Sequence, residues 1–446
     1  MRPATPLRVA LAVAAGAALL ASACASDSQR ATRDATCDGK VSGTTYLTAW
    51  FHASESDSTE RQTIVHQVAA FNASQAQVRV KLITLPIGEY ADLVRSAAQS
   101  GNLPDILDFD GPYLYNYAWS GKLKPIDSCI PAGVRSDLLP SIRQQGRYGG
   151  RTWGVGTFDS GLALYVRRSV LQRAGIRIPA TAAQAWTAEE FTGILQRLRQ
   201  AGYRQPLDLR LANATGEWST FGFAPAIWSA GGDLINRSGY RTANGYLNGA
   251  PAVRSLTTIR SWVKAGYVDP NEDERAFEDG RTPISWASHT TFADYTKAFP
   301  GDVQLVPLPR FGPRPAAGMG SWQWGITAGA ADGDAAWRFI GFLLHPREIV
   351  RMTDANGGIP ATESAVRRSP RFAPGGPEHL FVTQLETGIA RPRPQTPAYP
   401  ELTAAFATAF EAIVVDGRPV QATLDRAARA VDQAITERKY YQPTGR

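Results

Sequence analysis

Histidine is sparse in this chain: five residues, at positions 52, 66, 289, 345 and 379, stand far apart in the sequence. No HExxH, GxSxG or Walker segment occurs, so the commonest hydrolase and nucleotide-hydrolysing signatures are missing. Gly154 and Gly156 could begin a GxGxxG loop, but Asp159 occupies the third glycine's place. Cysteine is scarcer still, with Cys24, Cys37 and Cys129 alone. No CxxC pair or close Cys/His cluster exists, so neither a zinc site nor any other metal site is expected. Basic runs are lacking too: the formal charge is +7, and the arginines stand singly or in pairs such as Arg167 with Arg168. A nucleic-acid footprint would need a basic face, so nucleic acid is not an expected partner. There is no internal repeat, and no long low-complexity tract follows the N-terminus.

What is present begins with an export signal. Residues 1–23 have a basic start, an apolar run from Val9 to Leu20 and small residues before Cys24. That run is too short to span a bilayer stably. Residues 20–24, LASAC, resemble a bacterial lipobox, in which Cys24 becomes the lipidated first residue. Ala21-Ser22-Ala23 also fits an ordinary cleavage site, so simple secretion stays open. Both readings put the mature protein outside the cytoplasm. Cys37 and Cys129 would then be expected to pair, closing a loop worth a few kcal/mol in the chain-entropy model; two separately buried thiols are the alternative.

The chain as a whole has 43% hydrophobic and 20% charged residues, ordinary for a globular protein. Its 446 residues exceed one core of usual size, so two or more folding units are expected. Residues 26–40 are small and polar, fit for a tether. Residues 44–51 then read as a strand, and Ile64, Val68 and Phe71 mark one face of a helix. A strand over 78–85, a short helix over 88–98 and a strand over 105–109 follow. That alternation predicts an α/β unit with parallel strands. The stretch 103–127 is its focus: a strand empties into an acidic turn at Asp110, Gly111 and Pro112, and an aromatic helix follows. Carboxylates and rings meeting at a strand's carboxyl end suit a polar, flat-faced ligand.

Glycines 149, 150, 154, 156 and 161 break the next strand-like pattern and suit a hinge. Beyond it, helices over 187–200, 219–229 and 252–264 alternate with strands near 207–211, 283–287 and 303–308. Trp322 and Trp324, two apart, should share one face of a strand. Helical stripes then dominate the C-terminal third, where they mark core. Asp108 with Asp110 could also be a glycosidase's carboxylate pair, although the turn at Gly111-Pro112 disfavours that geometry.

Taken in order, the 103–127 stretch, GTFDSGLALYVRRSVLQRAGI, WSAGGDLI, FEDGRTPISW, GSWQWGITA and NGGIPAT resemble the landmarks of the family 1 extracellular solute-binding proteins. These are the sugar-capturing subunits of bacterial ABC importers. The resemblance spans about residues 44–440. It implies an α/β, two-lobe, periplasmic-binding-protein-like fold of type II, with a ligand cleft between the lobes and a helical C-terminal segment. Residues 1–23 would be the signal peptide and 24–43 the lipid-anchored tether. Residues 44–158 and 303–350 would form the N-terminal lobe, and 159–302 and 351–446 the C-terminal lobe.

The resemblance also implies site residues. Asp110 and Tyr113 match a ligand-contacting loop, and Asp159 an acidic residue beside the hinge that accepts sugar hydroxyls. Trp286 matches an aromatic platform with His289 beside it. Phe221 and Trp228 stand where another stacking ring is common, and one of Trp322 and Trp324 is expected to face the cleft. Tyr113 replaces the charged residue of the maltose-binding relatives, which argues against a maltose-type specificity. Pyranoses need rings for their C–H faces and carboxylates for their hydroxyls, which these residue types supply. The implied protein is no enzyme and takes no cofactor. It is a monomer held at the outer face of the cell membrane, delivering a disaccharide or oligosaccharide to ABC permease subunits. A glycerophosphodiester or other polyol is the same-class alternative, and a secreted glycosidase the alternative of another class.

Overall fold

The computed structural model of the protein describes residues 34–41, 43–53, 58–213 and 216–441. The signal peptide and Cys24 lie outside these residues.

The first lobe is built on strand Thr45–Ala53, which pairs in parallel with Val78–Pro86 on one side and Ile106–Asp110 on the other. Trp322–Ile326 completes the sheet antiparallel to Ile106–Asp110, with Trp322 opposite Asp110 and Trp324 opposite Asp108. The expected helix spans Thr59–Ser74, and the Ser58 side chain caps it by accepting from Arg61 N. Ile64, Val68 and Phe71 are buried as their spacing predicts; each contributes about 1.5–3 kcal/mol on burial. A disulfide joins Cys37 to Cys129 with Cα atoms 5.0 Å apart. Backbone bonds from Asp38 and Gly39 to the Asp334 carboxylate fix the same N-terminal segment to the lobe.

The second lobe holds a five-stranded sheet in the order Val303–Val306, Leu162–Arg167, Ile284–Ser288, Leu207–Asp208, Val268–Asp269. Trp186, Trp262, Trp286 and Phe223 fill its larger core with the faces of helices Tyr399–Val414 and Val420–Glu437. This topology corrects the expected boundaries. Residues 303–306 bond to Leu164–Arg167, so the chain leaves the second lobe only near residue 320. Residues 351–366 divide between the lobes: Met352, Ala361 and Ala365 pack in the first-lobe core, whereas Ile359 is buried with Phe372 in a second-lobe cluster against which Val366 also packs.

Two short strands, Phe158–Asp159 and Ile359–Pro360, pair where the chain crosses between lobes. The hinge glycines serve close approach more than unusual angles. A Cβ at Gly161 would come within 2.3 Å of the Phe381 ring. Positive φ belongs to Gly149 and Gly150, which turn the hairpin of Arg147–Tyr148 and Arg151–Thr152.

Candidate functional site

Strand Ile106–Asp110 ends where the lobes meet, and its last carboxylate is only partly covered. Arg393 crosses to it from the second-lobe side with a two-pronged bond, Nη1 to Oδ2 at 2.7 Å and Nη2 to Oδ1 at 2.6 Å. The same Nη1 reaches Glu217 Oε2 at 2.6 Å, and Tyr399 donates its hydroxyl to that oxygen. Tyr113 donates to Glu217 Oε1 at 3.0 Å. The Phe221 ring lies 5.6 Å from the Arg393 guanidinium.

Local sequence explains the placement. Pro112 starts a single 3-10 turn that swings Tyr113 off the strand end. Gly216, at φ 69, lets helix Glu217–Ser229 begin with its carboxylate facing the junction. Burial pushes the Glu217 carboxyl up, and the Arg393 charge opposes that shift. Two carboxylates, a cation and three rings thus converge from both lobes, and charge-assisted bonds of this kind are the stronger class.

A second polar group lies at the same sheet edge. His52 Nδ1 is 2.5 Å from Asp108 Oδ2, and Glu60 stands 3.6 Å from Nε2. Burial alone would lower the imidazole's pKa; the two carboxylates outweigh it and hold it at about 10. Trp322 stacks flat on this ring, centroids 3.5 Å apart.

The structure brings Asp110, Tyr113 and Phe221 together at the junction, and leaves the partly exposed Trp322 on the same strand edge. It does not bring the others to an open surface. Asp159 is fully buried: Oδ1 accepts from Ser160 N at 2.9 Å and Gly320 N at 3.1 Å, and Oδ2 accepts from Gln145 at 3.1 Å. It ties two crossing segments together. Trp286 is fully buried because its strand runs on to Ser288, and its indole donates to Gly222 O at 3.0 Å. Trp228 is buried and donates to Asp233 at 3.0 Å. Trp324 packs between Phe51 and Phe339 in the first-lobe core. His289 is 5% exposed and accepts from Gly161 N at 3.3 Å; burial lowers its pKa to about 4. Asp108 spends its carboxylate on His52, so it makes no catalytic pair with the Arg393-bound Asp110.

Glu217, Arg393 and Tyr399 were not foreseen. Glu217 carried a signal, an acid opening an aromatic helix. Arg393 is one of many scattered arginines, and nothing local distinguishes it. Among the described residues no group of three His, Cys, Asp or Glu side chains could hold a metal ion, and no helix is long and apolar enough to cross a membrane.

The architecture matches proteins of known structure. The cyclic α-maltosyl-1,6-maltose binding protein of Arthrobacter globiformis shares 22% identity and a TM-score of 0.72, covering 89% of this chain and 100% of that one. The GacH receptor of Streptomyces glaucescens, solved unliganded and with acarbose, shares 20% and a TM-score of 0.73 over 90% and 99%. UgpB of Mycobacterium tuberculosis, solved with glycerophosphocholine, shares 21% and a TM-score of 0.71 over 87% and 98%. An uncharacterised lipoprotein from the oleD 5′ region of Streptomyces antibioticus is 22% identical over 315 residues, 67% of each chain. Residues 66–374 match the family model described as bacterial extracellular solute-binding protein. The two-lobe α/β chain therefore belongs to the bacterial extracellular solute-binding proteins, a family of extracytoplasmic binding proteins rather than enzymes.

Proposed function

We propose that the chain captures a disaccharide or oligosaccharide outside the cell and delivers it to the permease of an ABC importer. The observation that carries this reading is the junction cluster, where Asp110 and Tyr113 of one lobe meet Glu217, Phe221 and Arg393 of the other. Carboxylates and an arginine suit the hydroxyl rim of a pyranose, and the adjoining rings suit its C–H faces. Trp322 adds a ring that His52 holds flat from behind. Asp159 then acts on the ligand through the hinge it organises, and Trp286, Trp228, Trp324 and His289 through the cores and crossing segments they hold.

Structural neighbours solved with maltose, maltotriose, acarbose and cycloalternan lend the sugar reading support. The glycerophosphodiester alternative would want an unspent cation for the phosphate. Arg393 is instead matched by two carboxylates, which favours a neutral polyol.

Lipidation of Cys24 would hold this monomer at the outer face of the cell membrane. Mass spectrometry of the mature N-terminus should show acylated Cys24, and a free amine there would mean simple secretion. Thermal-shift measurements against mono- and disaccharides should find at least one that raises the melting temperature and is recovered intact after prolonged incubation. Silence across the panel would sink the sugar reading, and turnover would favour the glycosidase.

A further inference from the structure

A second opening between the lobes has a different chemistry. It encloses about 360 Å³, within the roughly 300–1,000 Å³ of ordinary small-ligand sites. Tyr115, Arg147 and Tyr148 line it from the first lobe, Tyr240 from the second, and Gln395 from the segment leading into helix Tyr399–Val414. None of these residues belongs to the cluster around Asp110, Glu217 and Arg393.

Three features of its wall point to an occupant. Gln395 Nε2 is buried and close enough to act on the Tyr115 oxygen, but it makes no hydrogen bond of ordinary geometry, so a better-placed acceptor would be favoured. Arg147 is the sole ionised side chain among the lining residues, and no carboxylate opposes it. One of its nitrogens donates to Gly150 O at 3.0 Å; the side chain is otherwise exposed and able to reach a ligand. Finally, Tyr240, Tyr440 and Tyr441, all on the wall, have φ of 53°, 58° and 50°. Bulky residues avoid the left-handed region unless their surroundings enforce it, and such strain gathers where side chains are held for a ligand.

We propose that this opening is a separate binding site for a ring-sized organic anion: one six-membered ring bearing a carboxylate. The ring would lie against the tyrosines, and the carboxylate would take the Arg147 guanidinium and the Gln395 N–H. Sugar acids and aromatic acids share this chemistry. Because both lobes supply the wall, occupancy there favours the lobe arrangement that forms it. The segment linking Arg393 to Gln395 connects the two sites directly. This site stands apart from the carbohydrate reading and does not require it.

Titration calorimetry with glucuronate, 4-hydroxybenzoate and glucose tests the proposal on the whole protein and on Arg147→Ala, Gln395→Ala and Phe221→Ala. At least one acid should bind, each of the first two variants should weaken it by about tenfold or more, and Phe221→Ala should leave it unchanged. Arg147 is exposed, so its variant keeps the fold, and a melting curve checks Gln395→Ala. Glucuronate alone would identify a sugar acid, and 4-hydroxybenzoate alone an aromatic acid. The proposal fails if neither acid binds, if glucose binds as tightly, if Arg147→Ala binds undiminished, or if Phe221→Ala abolishes binding.

Discussion

Asp110 and Asp159 are the same residue type at the ends of two short strands, yet they sit in opposite circumstances. Asp110 is partly exposed, and its partner comes from the other lobe. Asp159 is sealed, and its partners are backbone amides of the segments that cross between lobes, with Gln145 beside them. The difference teaches that an acidic residue beside a hinge can serve ligand capture in two ways. On the proposed reading, one carboxylate would exchange its cross-lobe partner on ligand binding, while the other would hold the crossing segments together.

Arg393→Ala should have the largest effect, because it leaves Asp110 and Glu217 with no cation between them. Breaking a buried pair in this way costs about 3–5 kcal/mol, so chemical denaturation should show a loss of that order. X-ray scattering should show the lobes further apart. An unchanged radius of gyration would deny the cross-lobe role of the pair. Asp159→Ala comes next: two backbone donors and the Gln145 amide lose their acceptor at a cost of about 2–3 kcal/mol. Its scattering profile should stay close to wild type, which sets it apart from Arg393→Ala.

The pH dependence separates the two aspartates further. Burial pushes the Asp159 carboxyl up to about 6 against its hydrogen bonds. A folded-state pKa above the unfolded value of about 3.9 means that the native state binds the extra proton. Stability from this group is therefore greatest below pH 4 and falls as pH rises toward 6. Subtracting the Asp159→Asn stability profile from wild type should reveal that fall; a flat difference between pH 4 and 6 would contradict the burial account. Smallest of all, Tyr113→Phe removes one hydrogen bond to Glu217 and should cost about 1 kcal/mol, readable as a small shift in the denaturation midpoint.

Much of the first lobe was legible in the sequence. Period-two and period-3.6 patterns are local, so the strand expected at 78–85 is found at Val78–Pro86, and Ile64, Val68 and Phe71 form the buried face of helix Thr59–Ser74. Residues 303–306 read correctly as a strand but joined the wrong lobe, since their place depends on pairing with Leu164–Arg167 far upstream. The site shows the same division. Asp110 stood out because strand, turn and rings are contiguous around it. The resemblance implied a platform at Trp286, but two further residues carry its strand past it and the ring is buried. Arg393 lies 283 residues from its carboxylate partner, a separation across which no local pattern speaks.

The central claim is that the Asp110 cluster is where sugar binds. Titration calorimetry of wild type and Asp110→Asn against maltose, maltotriose, trehalose and cellobiose tests it most directly. At least one sugar should bind wild type, and the variant should lose about tenfold or more in affinity, the worth of a charge-assisted hydrogen bond. Equal affinity in the two proteins, or no binding by any of the four, would contradict the account.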